Sequence, residues 1–453
     1  MTFASLSLPE NLELHSIRSF VRGAESPRAG RRDQLRRTMS RAFFSLLLST
    51  ALLAVHAPAS GADAGHTVAI PDAGWHLWPD TTAKWKDDTL YLPGEFDLAK
   101  LPVNPPTGGW QILDAPKTGV PVTLPSTVEQ HFWGKMGLRP YQGSEYYFGK
   151  DKEPQNGAYQ GVSWWWCNVD VPASFAGKTV LLHIRGMRQR AEIFVNQKLV
   201  GYDIIGETSF DCDISKALKP GAKNQIAIRI TNHGGRYDWL DSGTARWGQY
   251  SIPHSHGFGG LDRGLTLTAH DPVYLSDNWV LNTPKPGTVT AHATVRNTTA
   301  QPQAGALRFS IIDPQSNKVV AQQDVAATVP AGRDQDFQTP LVWDKARIWS
   351  LETPNLYQMK VQWAGAKGSS RDEDEKDFGF RWFAPAGIGK EAGLYLNGQR
   401  VRLYTAISWG FWGLNGLWPT TELAEREVRD ARRFGMNMLN FHRDIGKEEV
   451  FEQ

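Results

Sequence analysis

Two stretches of this 453-residue chain concentrate side chains able to hold a polar ring. The first runs from Asn232 to Leu261, has little periodicity, and carries Arg236, Tyr237, Asp238, Trp239, Asp241, Trp247, His254 and His256. Carboxylates and guanidinium groups hydrogen-bond hydroxyls, while indole faces lie against apolar ring faces. A long loop with that mixture is a candidate binding site, and packing against a neighbouring domain is the alternative. His254-Ser255-His256 is suggestive of a metal pair, but no third protein ligand accompanies it, so no metal and no cofactor are expected. The second stretch lies near the C-terminus: Trp409 and Trp412, then His442, Arg443 and Asp444. A guanidinium fork at Arg443 suits a ligand carboxylate bidentately, although Arg443 and Asp444 could equally pair with each other. Asp238, Trp239, Trp247, Trp409, Trp412, His442, Arg443 and Asp444 form the expected substrate-binding set.

Strands must position the first stretch. From about Trp75 to Ala269 short alternating segments are broken by Gly, Pro, Asn and Asp. Val180–Arg185 and Gln225–Ile230 place apolar residues at every second position, which reads as half-buried strands. Roughly 200 residues of this kind predict a β-sandwich or jelly roll. A second strand-rich unit, about Asp271 to Trp382, includes Thr288–Val295 and Tyr357–Trp363 and suits an immunoglobulin-like sandwich. Its Asn297-Thr298-Thr299 sequon is read as incidental.

The pattern then changes. Gly393–Gln399 reads as a hairpin around Asn-Gly and Val401–Ile407 as a strand. Thr420 or Thr421 caps a helix with Ala424, Val428 and Ala431 on one face, Arg432 and Arg433 in its last turn and Gly435 beyond it. Met436–Phe441 follows as a further strand. Strand, helix, strand opens an α/β barrel or a doubly wound sheet, so Trp409, Trp412 and His442–Asp444 would follow the carboxyl ends of strands, where barrel ligands bind.

Composition bounds the classes. With 49 Lys+Arg against 47 Asp+Glu, nothing argues for a nucleic-acid partner, and two cysteines exclude a disulfide-dense scaffold. Cys167 and Cys212 could pair or stay as separate buried thiols. Eighteen Trp is an unusual count that fits an aromatic core, a sticky interface or sugar platforms. Met39-Ser40-Arg41, the apolar run Ala42–Val55 and the small residues Ala57 to Ala62 make a signal peptide over 39–62, with cleavage near Ala59 or Ala62 and export to the periplasm or beyond. Residues 1–38 read as a basic disordered extension, with Met39 a possible true start. Residues 1–59 carry a net charge of +4, which leaves −2 on the rest of a chain whose total is +2. No later apolar run reaches the roughly 18 residues of a membrane span.

Several blocks, taken in order, resemble glycoside hydrolase family 2, the group of β-galactosidases, β-mannosidases and β-glucuronidases. They are Gly161–Trp166 with Val169–Pro172, Gly177–Leu182, Ala191–Gly201, Phe210–Ser215, Gly259–Leu265, Ile348–Tyr357, Phe378–Arg381 and Leu396–Gln399. The resemblance covers about 330 residues. It implies a mainly β architecture: a jelly-roll sugar-binding sandwich (66–270), an immunoglobulin-like sandwich (271–382) and the first strands and helix of an incomplete (β/α)8 barrel (383–453). The chain departs from the family at the second barrel strand: after Asn437 comes Asn440 where Arg is expected, and Arg443, beside His442, where His is expected. A tight turn that is usually Asn-Gly is Asn196-Gln197.

The implied activity is retaining hydrolysis of O-glycosidic bonds in β-linked carbohydrates, with a carbohydrate as the partner. Such chemistry needs a carboxylic acid and a nucleophilic carboxylate about 5–5.5 Å apart. The family places both on later barrel strands, and no residue here matches either, so no catalytic residue is assigned and the chain alone is expected to be an inactive fragment. Glu448, Glu449 and Glu452 are carboxylates by type only, expected to form a solvated acidic face. A non-catalytic, lectin-like carbohydrate-binding protein built on the same sandwiches is the rival reading.

Overall fold

A computed structural model describes residues 66–92, 96–115, 117–132, 159–204, 208–232, 244–247, 250–253, 258–408, 418–441 and 446–453. The extension and the signal peptide expected before residue 66 lie outside this set.

The first sandwich faces a four-stranded sheet against a six-stranded one. The four strands, in spatial order, are Thr67–Ala69, Thr266–His270, Thr179–Ile184 and Phe210–Asp213. The six are Val120–Thr123, Ala73–Asp80, Gly161–Asp170, Lys223–Asn232, Arg190–Val195 and Lys198–Asp203. Thr179–Ile184 alternates as expected, with Val180, Leu182 and Ile184 buried in the inter-sheet core and Leu181 and His183 half-exposed. The expectation for Gln225–Ile230 is corrected, because Ala227 and Arg229 are as buried as Ile226 and Ile228. The reason is a third layer. Residues between 82 and 113 fold over the outer face of the six-stranded sheet, where Trp85, Leu113, Trp164, Trp166, Phe194 and Ala227 make a second apolar cluster.

The Trp164-Trp165-Trp166 triplet therefore has no exposed face. Trp165 points into the inter-sheet core, and Trp164 and Trp166 into the outer layer. Trp110 packs edge-on against Trp164 and Phe194 at centroid distances of 5.6 and 5.0 Å. The same outer face buries charge, and the charges are paired, as desolvation requires. Glu192 accepts from Arg229 and from Asn104 Nδ2 (2.6 Å), Arg190 pairs with Asp88, and Arg229 Nη2 donates to the Lys84 carbonyl at 3.1 Å. Two guanidinium groups and two carboxylates thus pin the overlying segment to the sheet.

The turn at Asn196-Gln197 keeps both residues at positive φ, 49° and 68°. Asn196 suits that conformation, and its side chain donates to Ala217 O (2.9 Å) and Asn224 Oδ1 (2.7 Å). Cys167 and Cys212 are both buried and unbonded, and burial pushes both thiols upward in pKa.

The second sandwich packs a three-stranded sheet (Val273–Asn282, Thr288–Asn297, Asp334–Val342) on a four-stranded one (Lys318–Val329, Gln303–Asp313, Tyr357–Gly365, Arg371–Phe378). Thr288–Asn297 alternates strictly, sending Val289, Ala291, Ala293 and Val295 into the core beside Phe309 and Trp363. Asn297 is fully buried and donates to Gln301 O and Val329 O, so its sequon is a structural asparagine. Asp271 ties the sandwiches together, accepting from Lys178 Nζ at 2.6 Å and from Arg371 N at 3.1 Å.

A three-stranded meander follows: Phe383–Ala386, Gly393–Leu396 and Gln399–Val401, its last turn formed by Asn397 (φ 52°) and Gly398 (φ 81°). The single strand expected over Val401–Ile407 is split, because the meander ends at Val401 and a new strand begins at Thr405. That strand, Thr405–Ser408, pairs parallel with Met438–Phe441, and helix Thr421–Arg433 connects them. Thr420 caps the helix by accepting from Leu423 N, and Gly435 leaves it at φ 77°. Among the described residues no helix is long and apolar enough to cross a membrane.

Truncating Trp164 removes the centre of the outer aromatic layer. Trp164→Ala is expected to lower unfolding free energy by about 3–5 kcal/mol in urea titrations.

Candidate functional site

A very small sheet organises the end of the first sandwich. Gly260–Leu261 runs between Ser126–Thr127 and Met187–Arg188, with Gly260 opposite Thr127 on one side and Arg188 on the other. The central strand passes so close that a Cβ on Gly260 would sit 2.3 Å from Ser126 O, which is why Gly-Gly stands at 259–260.

One carboxylate gathers the chain around this sheet. Helix Val128–Phe132 follows Thr127, and Glu129 on it is buried. Its Oε1 accepts from Tyr159 N at 2.7 Å and its Oε2 from Gly259 N at 3.3 Å. Val128 N donates to Gly259 O (2.9 Å), and Arg188 Nη1 to Phe258 O (3.2 Å). Glu129 therefore ties Tyr159 and Gly259 to the helix that follows Thr127. Burial pushes its carboxyl up to about 8, against the opposing pull of the two N–H donors and the Arg188 charge. Beside it Ser126 Oγ lies 2.8 Å from His131 Nε2, and burial lowers the His131 pKa. Ser126 is fully buried, which makes this pair a brace and not an exposed nucleophile.

The strand–helix–strand unit docks on the other side of the same sheet. Arg263 Nη2 lies 2.6 Å from Glu449 Oε2, and its Nη1 donates to Pro419 O at 2.8 Å, just before the helix cap Thr420. Arg185 reaches Glu448 (3.2 Å), Glu449 (3.4 Å) and Glu452 (3.6 Å). Asp262 lies between the two arginines in sequence position and charge field, and burial raises its carboxyl to about 6. The expected solvated acidic face at Glu448, Glu449 and Glu452 is thereby corrected: Glu449 is buried in a two-arginine clamp, with Glu448 and Glu452 at its rim. Although burial works in the other direction, hydrogen bonds from Thr421 and Arg263 and the charges of Arg263 and Arg185 hold the Glu449 carboxyl below its usual range.

Ser408 and Phe441 stand at the carboxyl ends of the two parallel strands, and Pro419, beside Trp418, accepts from Arg263 of the clamp. Segment 233–257 returns at Phe258, next to Glu129. Of the expected binding residues, Asp238, Trp239, Trp409, Trp412, His442, Arg443 and Asp444 lie outside the described residues, as do Arg236, Tyr237, Asp241, His254 and His256. Trp247 ends a short strand, Thr244–Trp247, paired with Tyr250–Pro253. Among the described residues no group of three His, Cys, Asp or Glu could hold a metal ion. Asn437 is structural: it accepts from Tyr404 N (2.8 Å) and donates to Arg402 O (2.9 Å), fastening the two parallel strands at their entry ends. Sequence reasoning did not single out Glu129, Arg185 or Arg263. Their only signals were an isolated charge beside a Gly-Gly strand and charges at strand ends.

Residues 273–381 match the family model for glycosyl hydrolases family 2. A β-glucuronidase from Formosa agariphila is 23% identical over 271 residues, covering 56% of this chain and 26% of that protein. A β-galactosidase from Bacteroides ovatus is 23% identical, covering 61% of this chain and 31% of that protein. Among solved structures, a glycosyl hydrolase family 2 member from Bacteroides cellulosilyticus superposes with a TM-score of 0.61 at 19% identity, over 85% of this chain and 44% of that one. The chain thus spans between a quarter and a third of these two curated relatives.

Two outcomes follow from the geometry. With the Glu129 carboxyl raised from about 4.5 to about 8, the unfolded chain releases its proton first as pH rises, so this group's contribution to stability is complete below about 4.5 and is lost by about 8. Glu129→Gln, a permanently neutral side chain, should flatten that decline in melting temperatures recorded from pH 5 to 8. Arg263→Ala should cost about 1.5–3 kcal/mol, the worth of a charged hydrogen bond. The loss should appear first as faster hydrogen exchange in helix Thr421–Arg433.

Proposed function

We propose, from the match of residues 273–381 to the family model and the likeness to family 2 glycosidases, that the chain forms the substrate-framing part of an exported glycosyl hydrolase family 2 enzyme hydrolysing O-glycosidic bonds of β-linked carbohydrates with retention. The observation that carries the reading is the docking of a parallel strand–helix–strand unit on the loop-bearing end of a jelly roll, through Arg263, Arg185 and Glu449. In a (β/α)8 barrel the ligand lies at the carboxyl ends of the strands. Ser408 and Phe441 stand at those ends here, and the clamp joins this unit to Arg185 and Arg263 of the jelly roll.

In this reading, Trp409, Trp412, His442, Arg443 and Asp444 form the barrel side of the sugar pocket, and Asp238, Trp239 and Trp247 the jelly-roll side. Indole faces take the apolar ring face, and the carboxylates and Arg443 bind hydroxyls or a sugar carboxylate. No general acid or nucleophile is assigned among the residues of this chain. Named relatives are a β-glucuronidase and a β-galactosidase, which makes uronides and galactosides the substrates to test first and gives the lectin-like alternative no support.

The test is expression of the gene with its downstream coding sequence and assay on chromogenic β-glucuronide, β-galactoside and β-mannoside. Turnover of at least one is expected, with the β-anomer formed first by NMR. A folded, extended chain that turns over nothing on a broad glycoside panel would overturn the proposal.

A further inference from the structure

Away from that junction, the second sandwich and the meander enclose a cavity of about 580 Å³. The size lies within the roughly 300–1,000 Å³ of small-molecule clefts. One wall is the turn Thr283–Thr288 between two sandwich strands, and the other is the meander hairpin from Leu396 to Val401, with Arg381 and Trp382 on the segment that joins the two modules.

The cradle is rigid for stated reasons. Asn282 Oδ1 accepts from Arg381 N at 3.0 Å, and Asn397 Oδ1 accepts from Trp382 N at 2.8 Å. Asn397 Nδ2 donates to Trp349 O at 2.8 Å, so one asparagine ties the hairpin to the Ile348–Ser350 wall. The Arg381 guanidinium is held 4.7 Å over the Trp349 ring, which leaves its N–H edge undirected toward any carboxylate among the described residues. Gly287 sits at φ 71° with Trp343 O where a Cβ would be, so the turn can lie against the Trp343–Asp344 backbone only as glycine. Thr288, also in the lining, keeps a buried hydroxyl with no hydrogen-bond partner.

Three chemistries therefore face one space. Arg381 and Lys285 supply positive charge, set against the single carboxylate of Glu352. Trp382 is exposed, with 37% of its surface free, and offers an indole face. Gln399 offers an amide whose hydrogen-bonding capacity no described residue uses. A fork-shaped cation, a flat apolar face and an amide donor–acceptor are the complement of a carboxylated pyranose: the carboxylate for the guanidinium, the C–H face for the indole, the hydroxyls for the amide. We propose that this cavity is a second, non-catalytic carbohydrate site that binds an acidic saccharide through Arg381, Lys285 and Trp382. The cavity lies beside the amino-terminal entry to the parallel strands, at Gln399–Val401, whereas the junction described above is built on their carboxyl ends. Neither the proposed hydrolysis nor its pocket is needed for it.

The test uses the full chain and two probes of equal length, an oligogalacturonide and a neutral cello-oligosaccharide, titrated calorimetrically. Binding of the acidic probe alone is expected, weakening as salt is raised. Arg381→Ala and Trp382→Ala should each reduce affinity about tenfold or more, the equivalent of one good contact. Lys285→Glu, on a separate surface turn, gives a third reading that does not depend on how Arg381 packs on Trp349, and melting temperatures establish that each variant is folded. No binding of the acidic probe, equal binding of the neutral one, or affinity unchanged in all three variants would overturn this site. The last outcome would locate the uronate elsewhere and leave the hydrolase reading untouched, because that reading is judged by turnover of the extended chain.

Discussion

The close approach at Gly260 is the constraint on which the site depends. Two neighbouring strands, Ser126–Thr127 and Met187–Arg188, bond to the same two-residue strand, and they can do so only because its centre has no side chain. That pairing puts Glu129 within reach of two backbone N–H groups from remote parts of the chain. It also puts Arg185, just before Met187–Arg188, and Arg263, just after Gly260–Leu261, on the side where the parallel unit docks. A short ladder of backbone bonds thus sets where Tyr159 and Gly259 stand and where the strand–helix–strand unit docks. Side chains then lock what the ladder places.

The lock differs between the two sides in a physically sensible way. Glu129 is fully buried and is satisfied by backbone donors and a nearby arginine, so its cost is desolvation and its benefit is chain placement. Glu449 is also buried but faces two guanidinium groups, so charge attraction prevails and its carboxyl is held below its usual range. The outer face of the six-stranded sheet is a third case. There two arginines and two carboxylates form a neutral set under an aromatic layer, and each charge is compensated within the set.

Much of the fold was legible in the sequence because period-two burial leaves a clear trace wherever one face meets solvent. Thr288–Asn297 and Thr179–Ile184 are such strands. The helix was legible from Thr420, Gly435 and its apolar spacing, because caps are local chemistry. Strand Lys223–Asn232 was misread as half-buried because the layer that covers it comes from residues more than a hundred positions earlier, and Arg229 looks like a solvent-facing residue until Glu192 and Lys84 are seen around it. Glu449 was misread for the same reason. Its acidic neighbourhood looks solvated in sequence, and its partners lie some 190 and 260 positions away.

The eighteen tryptophans make the same point about what composition can resolve. Trp75 and Trp165 serve the inter-sheet core, while Trp78, Trp85, Trp110, Trp164 and Trp166 serve the outer layer. An aromatic outer layer costs little conformational entropy and excludes water from the paired charges beside it, which strengthens their attraction. Seven of the eighteen are thus accounted for by covering a sheet on both faces, and the sugar-binding use proposed above concerns the tryptophans of segments 233–257 and 409–417 and Trp382. Of these, Trp382 is the one whose surroundings are fully defined, by Asn397, Arg381 and the glycine turn at 287. Fixing the surroundings before the ligand arrives lowers the ordering entropy of binding, which is how an exposed indole becomes a site instead of a surface blemish.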